Sequence, residues 1–417
     1  MAGTTSSSRT DCSPGALLPA EEGDTARSVA VVGAGPAGLA TAACLRRRGI
    51  GGTVLERGEG VGQAWRGHYD RLHLHTPRVQ SHLPGYRIPR SSGRWVARDD
   101  LVDYLEAYAD HHRIGPQFGV EVQRLDPDDG GWRLTTTDGE YHARAVVVAT
   151  GYNGRPYLPD WPGRAGYAGQ LLHADDYRRA EPFRGADVLV VGTGNTGAEI
   201  AADLAEQGAG RVRLAVRTPP HVVPRTVASV PTTLLGIGNE YLPPWLGDPL
   251  NTLLQRVTIG DLTADGLPPP QRGLIATYRE TDTIPIIDVG FVDQLKAGRV
   301  EPVAAVEAFE HERVVLADGS RVRAEVVIAA TGYHTALHEL VGHLGVLDER
   351  GRPTVAAGTR HPAAPGLHFV GLRNPLIGLL NAIRIDAGRV ARAIAAELRE
   401  PASVRGRVGA IAARTAR

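Results

Sequence analysis

Two glycine-rich loops constrain this chain more than anything else in it. They read Gly33-Ala34-Gly35-Pro36-Ala37-Gly38 and Gly192-Thr193-Gly194-Asn195-Thr196-Gly197. Each follows a short apolar run, Ser28 to Val32 in one case and Ala186 to Val191 in the other. Each opens a stretch with helical character, Leu39 to Arg48 ending at Gly49, and Ala198 to Gln207. A second apolar strand follows, Gly52 to Leu55 and Arg211 to Val216. A strand, a GxGxxG turn, a helix and a second strand make one βαβ unit, so the spacing predicts an α/β protein with two Rossmann-like dinucleotide-binding domains. The glycine pattern has a mechanical reason. The first makes the tight turn, the second lets the backbone approach a pyrophosphate, and the third lets helix and strand pack closely. The helix N-terminus then offers amide donors to phosphate.

The two units end differently. The first closes on Glu56, which suits a ribose hydroxyl. The second closes on Arg217. A guanidinium pairs bidentately with a 2′-phosphate, which a carboxylate would repel, so the second loop is expected to take NADPH. Arg225 is a second candidate for the same phosphate.

The rest of the chain repeats the theme. Leu101 to Ala109 has helical spacing. Strands are expected at Val120 to Leu125, Trp132 to Thr137 and Tyr141 to Val148, the last running into Ala149-Thr150-Gly151-Tyr152. Further on, Val300 to Val303, Glu307 to Phe309, Arg313 to Leu316 and Glu325 to Ala329 read as strands, the last running into Ala330-Thr331-Gly332-Tyr333. The repeated exit supports two related units. Between the loops lies a polar joint containing Tyr167, Gly169, His173 and Tyr177. A final helix is expected over Asn381 to Leu398, with Ile383, Ala387, Val390, Ile394 and Leu398 on one face.

Composition excludes several other classes. Across 417 residues, Lys+Arg and Asp+Glu both total 46, so bulk charge favours neither nucleic acid nor an anionic membrane. The two cysteines, Cys12 and Cys44, form no CxxC, which fits a reducing cytoplasmic setting and leaves a disulfide reductase without its redox pair. Residues 1–27 are polar and expected to be disordered. No apolar run reaches 18 residues, so no transmembrane helix is expected. Neither GxSxG nor HExxH occurs, and no metal site is expected. Oligomeric state is not legible in the sequence. An electron-transferring flavin reductase and a non-catalytic flavoprotein remain as alternatives at this level.

Together, the two loops, the joint Tyr167-x-Gly169-x-x-x-His173-x-x-x-Tyr177 and the paired ATGY exits resemble the flavin-containing monooxygenases. The stretches 69–78, 173–201, 221–225, 284–290 and 330–337 resemble the YUCCA-type branch, the plant auxin-forming enzymes. The resemblance implies an FAD domain split in sequence around an inserted NADPH domain: a first FAD part at 28–165, an NADPH domain at 166–334 with an irregular insertion at about 218–285, and a second FAD part at 335–417.

It also implies a reaction. NADPH would reduce FAD, O2 would add to the flavin as a C4a-(hydro)peroxide, and one oxygen atom would pass to a small organic substrate. An α-keto acid such as indole-3-pyruvate, decarboxylated in the process, is the first choice. The alternatives are N- or S-oxygenation of a soft nucleophile, Baeyer–Villiger chemistry and a non-oxygenating flavin reductase. Tyr177-Arg178 stands where Baeyer–Villiger relatives carry Trp-Pro. His75 stands where many flavin-containing monooxygenases carry Asn near the flavin, and Gln63 and Trp65 match residues close to the ring. His173 and Tyr177 are expected to fasten the joint. Asn381 is expected near the flavin pyrimidine end, and Arg384 or Arg373 is a candidate for a substrate carboxylate.

Overall fold

The computed structural model describes residues 29–399, apart from the side chains at 237–241. The expected disorder over 1–27, Cys12, Ser28 and the end of the chain from 400 lie outside the described residues. Strand Val29–Val32 is buried along its whole length and pairs in parallel with Gly52–Leu55 and Ala145–Val148. The fourth strand of this sheet, Leu367–Phe369, comes from near the other end of the chain. A second parallel sheet has the order Val300–Ala304, Arg211–Val216, Asp187–Val191, Val326–Ala329, Gln170–His173. All of the second sheet thus lies, in sequence, between strands of the first. The inner strands are runs of Val, Leu, Ile and Ala because helices and loops cover both faces of such sheets. Helix Pro36–Arg46, with proline in its first turn, packs against helix Leu379–Glu397. The expected face of that last helix, Ile383, Ala387, Val390 and Ile394, is buried.

Each unit also carries a three-stranded antiparallel meander, Val122–Asp128, Gly131–Thr136, Gly139–Ala143 in the first and Val306–Phe309, Arg313–Leu316, Arg321–Arg323 in the second. The expected single strand Tyr141–Val148 is therefore two. Its first part pairs within the meander and its second within the parallel sheet, and the chain changes sheet at Arg144. Alternating burial in the meander against continuous burial at Ala145–Val148 marks the change.

The two crossings between units pair with each other. After the first ATGY exit, Arg155–Pro156 lies antiparallel to Tyr333–His334 of the second. The Tyr157 amide donates to Gly332 O at 2.9 Å, and Thr331 Oγ1 donates to Tyr157 O. The insertion contains helices Thr232–Tyr241, Pro244–Thr258 and Leu274–Thr281 and a parallel strand pair, Val222–Pro224 with Ile286–Asp288. Among the described residues no helix is long and apolar enough to cross a membrane.

Candidate functional site

The glycine loops repeat one geometry. Gly33 has φ +107° and Gly192 φ +120°, a region L side chains rarely adopt. A Cβ on Gly33 would lie 2.7 Å from Ala149 O, and one on Gly192 2.4 Å from Ala330 O. Each loop thus turns directly against the ATGY exit of its own unit. Gly38 and Gly197 press on the carbonyls of Gly33 and Gly192 in the same way. The middle glycines differ: a Cβ on Gly35 or Gly194 meets nothing within 4 Å. Beside each middle glycine is open space at a helix N-terminus, where main-chain amides can meet a phosphate.

The strand ends keep the opposite charges read from the sequence. Glu56 is buried and accepts the Ala34 amide at 2.7 Å and the Gly58 amide at 2.8 Å. One lone pair on each oxygen stays open for a ribose hydroxyl. Arg217 is exposed at the end of Arg211–Val216. The Asn195 side chain is engaged inside the protein: it donates to Pro285 O at 3.1 Å and accepts the Ile287 amide at 2.7 Å. At Asn195 this leaves the main chain to face a ligand, while Thr196 beside it is half-buried.

The joint holds the paired crossings. His173 Nδ1 accepts the Asp175 amide at 3.0 Å, and His173 Nε2 donates to Gly332 O at 3.1 Å. This fixes a neutral tautomer, and burial holds the imidazole below its ordinary pKa of 6.5. Tyr333 donates to Asp175 Oδ1 at 3.0 Å. The Tyr167 ring folds back over Gly169, where a Cβ would lie 2.7 Å from it, and the hydroxyl donates to Ala324 O. Tyr177 is buried and donates to Asp203 Oδ2 at 2.6 Å. Burial, with the Asp203 carboxylate, pushes its phenol well above the usual range.

Asp203 leads to the seam between the units, which the sequence did not reveal. Helix Asn195–Glu206 presents Glu199, Asp203 and Glu206 toward the segment after the first loop. Arg71 Nη1 reaches Glu206 Oε2 at 3.0 Å and Asp203 Oδ1 at 3.4 Å. His75 Nε2 lies 3.0 Å from Glu199 Oε1, and Glu199 is only 3% exposed. Tyr69 is buried beside Glu199; burial first, then the Glu199 charge, raises its phenol pKa strongly. Tyr69 packs in the core of the second unit, although it follows the first loop in sequence. Acidic positions at i, i+4 and i+7 on an otherwise buried helix were the available signal.

Thr76 meets the start of the last helix. Gly378 has φ +86°, and a Cβ there would lie 2.2 Å from Thr76 Cγ2. Asn381 is buried at that helix start and accepts from Arg384 Nη2 at 2.6 Å. The His75–Thr76 segment therefore runs between the last helix of the first unit and the glycine-loop helix of the second. Trp65 packs on the first core, and Gln63 is exposed at the start of a single helical turn, its side chain covering Gly58. Arg373 faces the Asp386 carboxylate at 3.8 Å. Arg225 donates to Leu74 O at 2.8 Å with its guanidinium 4.1 Å from the centre of the Trp95 ring, so the structure brings it to the first-unit segment at His75.

The profile of the pyridine nucleotide-disulphide oxidoreductase family matches residues 30–232. The one cysteine among the described residues, Cys44, is buried and unpaired, and burial raises its thiol pKa. The probable indole-3-pyruvate monooxygenase YUCCA9 of Arabidopsis thaliana is 35% identical over 379 residues, covering 89% of each chain. Indole-3-pyruvate monooxygenase YUCCA1 of Oryza sativa subsp. japonica is 36% identical over 376 residues, covering 89% of this chain and 92% of that one. Among solved structures, a flavin-containing monooxygenase from Stenotrophomonas maltophilia matches with TM-score 0.67 and 26% identity, over 88% of this chain and 98% of its own.

Proposed function

Because the chain belongs to the YUCCA-like branch of the flavin-containing monooxygenases, we propose that it binds FAD at the first loop and NADPH at the second and oxygenates an aryl α-keto acid. The observation that carries the cofactor reading is the pair of loops with one geometry and opposite ends, Glu56 in the first and Arg217 in the second. Open space beside Gly35 and Gly194 supports an approach of phosphate to each helix N-terminus. Names of relatives that act on indole-3-pyruvate support the substrate class. The proposed division is an FAD domain of 28–165 and 335–417 with the NADPH domain 166–334 inserted.

Reduced FAD supplies the activation of O2. One oxygen atom enters the carboxylic acid product, the other leaves as water, NADPH is oxidised, and the keto acid loses its carboxyl group as CO2. The chain supplies position. Glu56 orients the first dinucleotide and Arg217 selects the second. His173 and Tyr177 set the angle between the units by holding the crossings and the seam. His75, Thr76 and Asn381, with Gln63 and Trp65, line the approach to the flavin.

The test is direct. FAD-loaded protein is given NADPH, 18O2 and indole-3-pyruvate. Indole-3-acetate carrying one 18O, with one CO2 per NADPH, supports the reading. NADPH oxidation that yields no oxygenated acid rejects the substrate class, and an oxygenated amine or sulfide in parallel assays places the enzyme with the heteroatom oxidisers.

A further inference from the structure

Around Trp95 the chain gathers positive charge that has no carboxylate partner among the described residues. Arg225 lies over the ring at 4.1 Å from its centre, and Arg94 lies 5.3 Å from it. Arg78 is adjacent, its amide donating to Arg94 O at 2.8 Å. The bonds these three guanidinium groups make all end on main-chain carbonyls: Arg78 on Gly93 and Ile88, Arg94 on Ser229, Arg225 on Leu74. Among the described residues none of the three has a carboxylate within 4 Å. The acid whose charge acts on Arg225 is Glu199, which itself faces His75. Arg225 Nε is buried with no hydrogen-bond partner. A desolvated guanidinium with an unused donor is costly unless something anionic completes it.

The position of this cluster matters. Arg225 is bonded to the residue before His75, and Thr233 of the insertion donates to Gln80 of the same first-unit segment at 3.3 Å. The cluster thus lies at the seam where His75–Thr76 meets both units. Arg225 follows strand Val222–Pro224, whose pairing with Ile286–Asp288 carries it there. Burial lowers its pKa to about 10, so it remains a cation at neutral pH.

We propose that Arg225, with Arg94 and Arg78 around Trp95, forms the seat for the carboxylate of the α-keto acid substrate, with Trp95 offering an aromatic wall to its ring. This rests on the substrate class proposed above. Planar guanidinium groups pair carboxylates bidentately, and an aromatic surface beside a cation suits a flat, anionic aromatic ligand. The same cations fit a phosphate of the dinucleotide, so the experiment must separate the two sources.

Phenylpyruvate is titrated into the FAD-loaded protein and binding is read from the flavin difference spectrum and by calorimetry, with phenylacetone as the neutral control and NADP+ in parallel. Arg225→Gln is expected to weaken phenylpyruvate binding about tenfold to a hundredfold. Phenylacetone and NADP+ should bind as they do to the unmodified protein. Arg94→Gln, on an exposed side chain that carries little folding risk, should weaken phenylpyruvate about twofold to fivefold. Unchanged keto-acid affinity in both variants overturns the proposal. So does a loss confined to NADP+, which would give the cluster to the dinucleotide. An unmodified protein that binds neither phenylpyruvate nor indole-3-pyruvate overturns the substrate class and this seat together, whereas binding that ignores Arg225 and Arg94 overturns the seat alone.

Discussion

His75 Nε2 and Glu199 Oε1 stand 3.0 Å apart across the seam between the two units, one on the segment that follows the first loop and the other on the helix that follows the second. Both loops are local features, but this contact ties the elements they launch. His75 Nδ1 and Glu199 Oε1 are buried and have no hydrogen-bond partner, so the contact is close without being a well-aligned bond. Such a pair acts as a positioning device, because moving either unit separates a buried carboxyl group from the imidazole that faces it.

That contact predicts coupling. His75→Leu should destabilise the protein by about 1–3 kcal/mol, since it removes a polar neighbour from a buried carboxyl group. Glu199→Leu in the same chain should recover most of the loss. Urea midpoints for the two single variants and the double variant give the coupling energy. Strict additivity would show that the two side chains do not act on each other.

His173 predicts a pH dependence. Its folded-state pKa lies below 6.5, so the folded protein holds it neutral while the unfolded chain takes up a proton. The stability it contributes is full above the unfolded value of 6.5 and falls as pH drops from there toward the folded value. Protonation removes the acceptor that Nδ1 offers to Asp175, a bond worth about 1 kcal/mol. The stability gap between the unmodified protein and His173→Ala should therefore shrink between pH 7.5 and pH 5. A gap that widens on acidification contradicts the neutral tautomer.

The glycines predict a division of effects. Gly33→Ala and Gly192→Ala put a side chain into a left-handed turn and against a carbonyl oxygen, and should lower stability by about 2 kcal/mol or more. Gly35→Val and Gly194→Val enter open space, so folding should persist. Gly35→Val should then weaken FAD and leave NADP+ intact, and Gly194→Val the reverse, each by about tenfold or more. Equal loss of both cofactors in either variant would refute the assignment of one dinucleotide per loop.

Arg217 predicts cofactor choice. Arg217→Ala should reduce NADPH affinity by about tenfold to a hundredfold while NADH affinity stays level, because only the 2′-phosphate contact is removed. Steady-state reduction of the flavin with each cofactor measures this. An unchanged preference transfers the role to another cation.

What the sequence by itself determined was whatever depends on local backbone. Glycine spacing reports tight turns, apolar runs report buried parallel strands, and Glu56 and Arg217 are fixed by chain distance from their loops. The ATGY repeat was legible because each copy ends a strand of the same kind. Tertiary structure decided what depends on partners far along the chain. Tyr141–Val148 reads as one strand until its halves pair with different sheets. The Asn195 side chain finds its partners only when Pro285 and Ile287 come to it. Glu199 becomes a seam residue only when Tyr69 and His75 fold back across its helix. Arg225 comes over Trp95 only through the pairing of 222–224 with 286–288, which its sequence neighbourhood does not disclose. The physical reason is the same in each case: a hydrogen bond or ion pair is set by distance in space, and side chains distant in sequence carry no record of it until the chain folds.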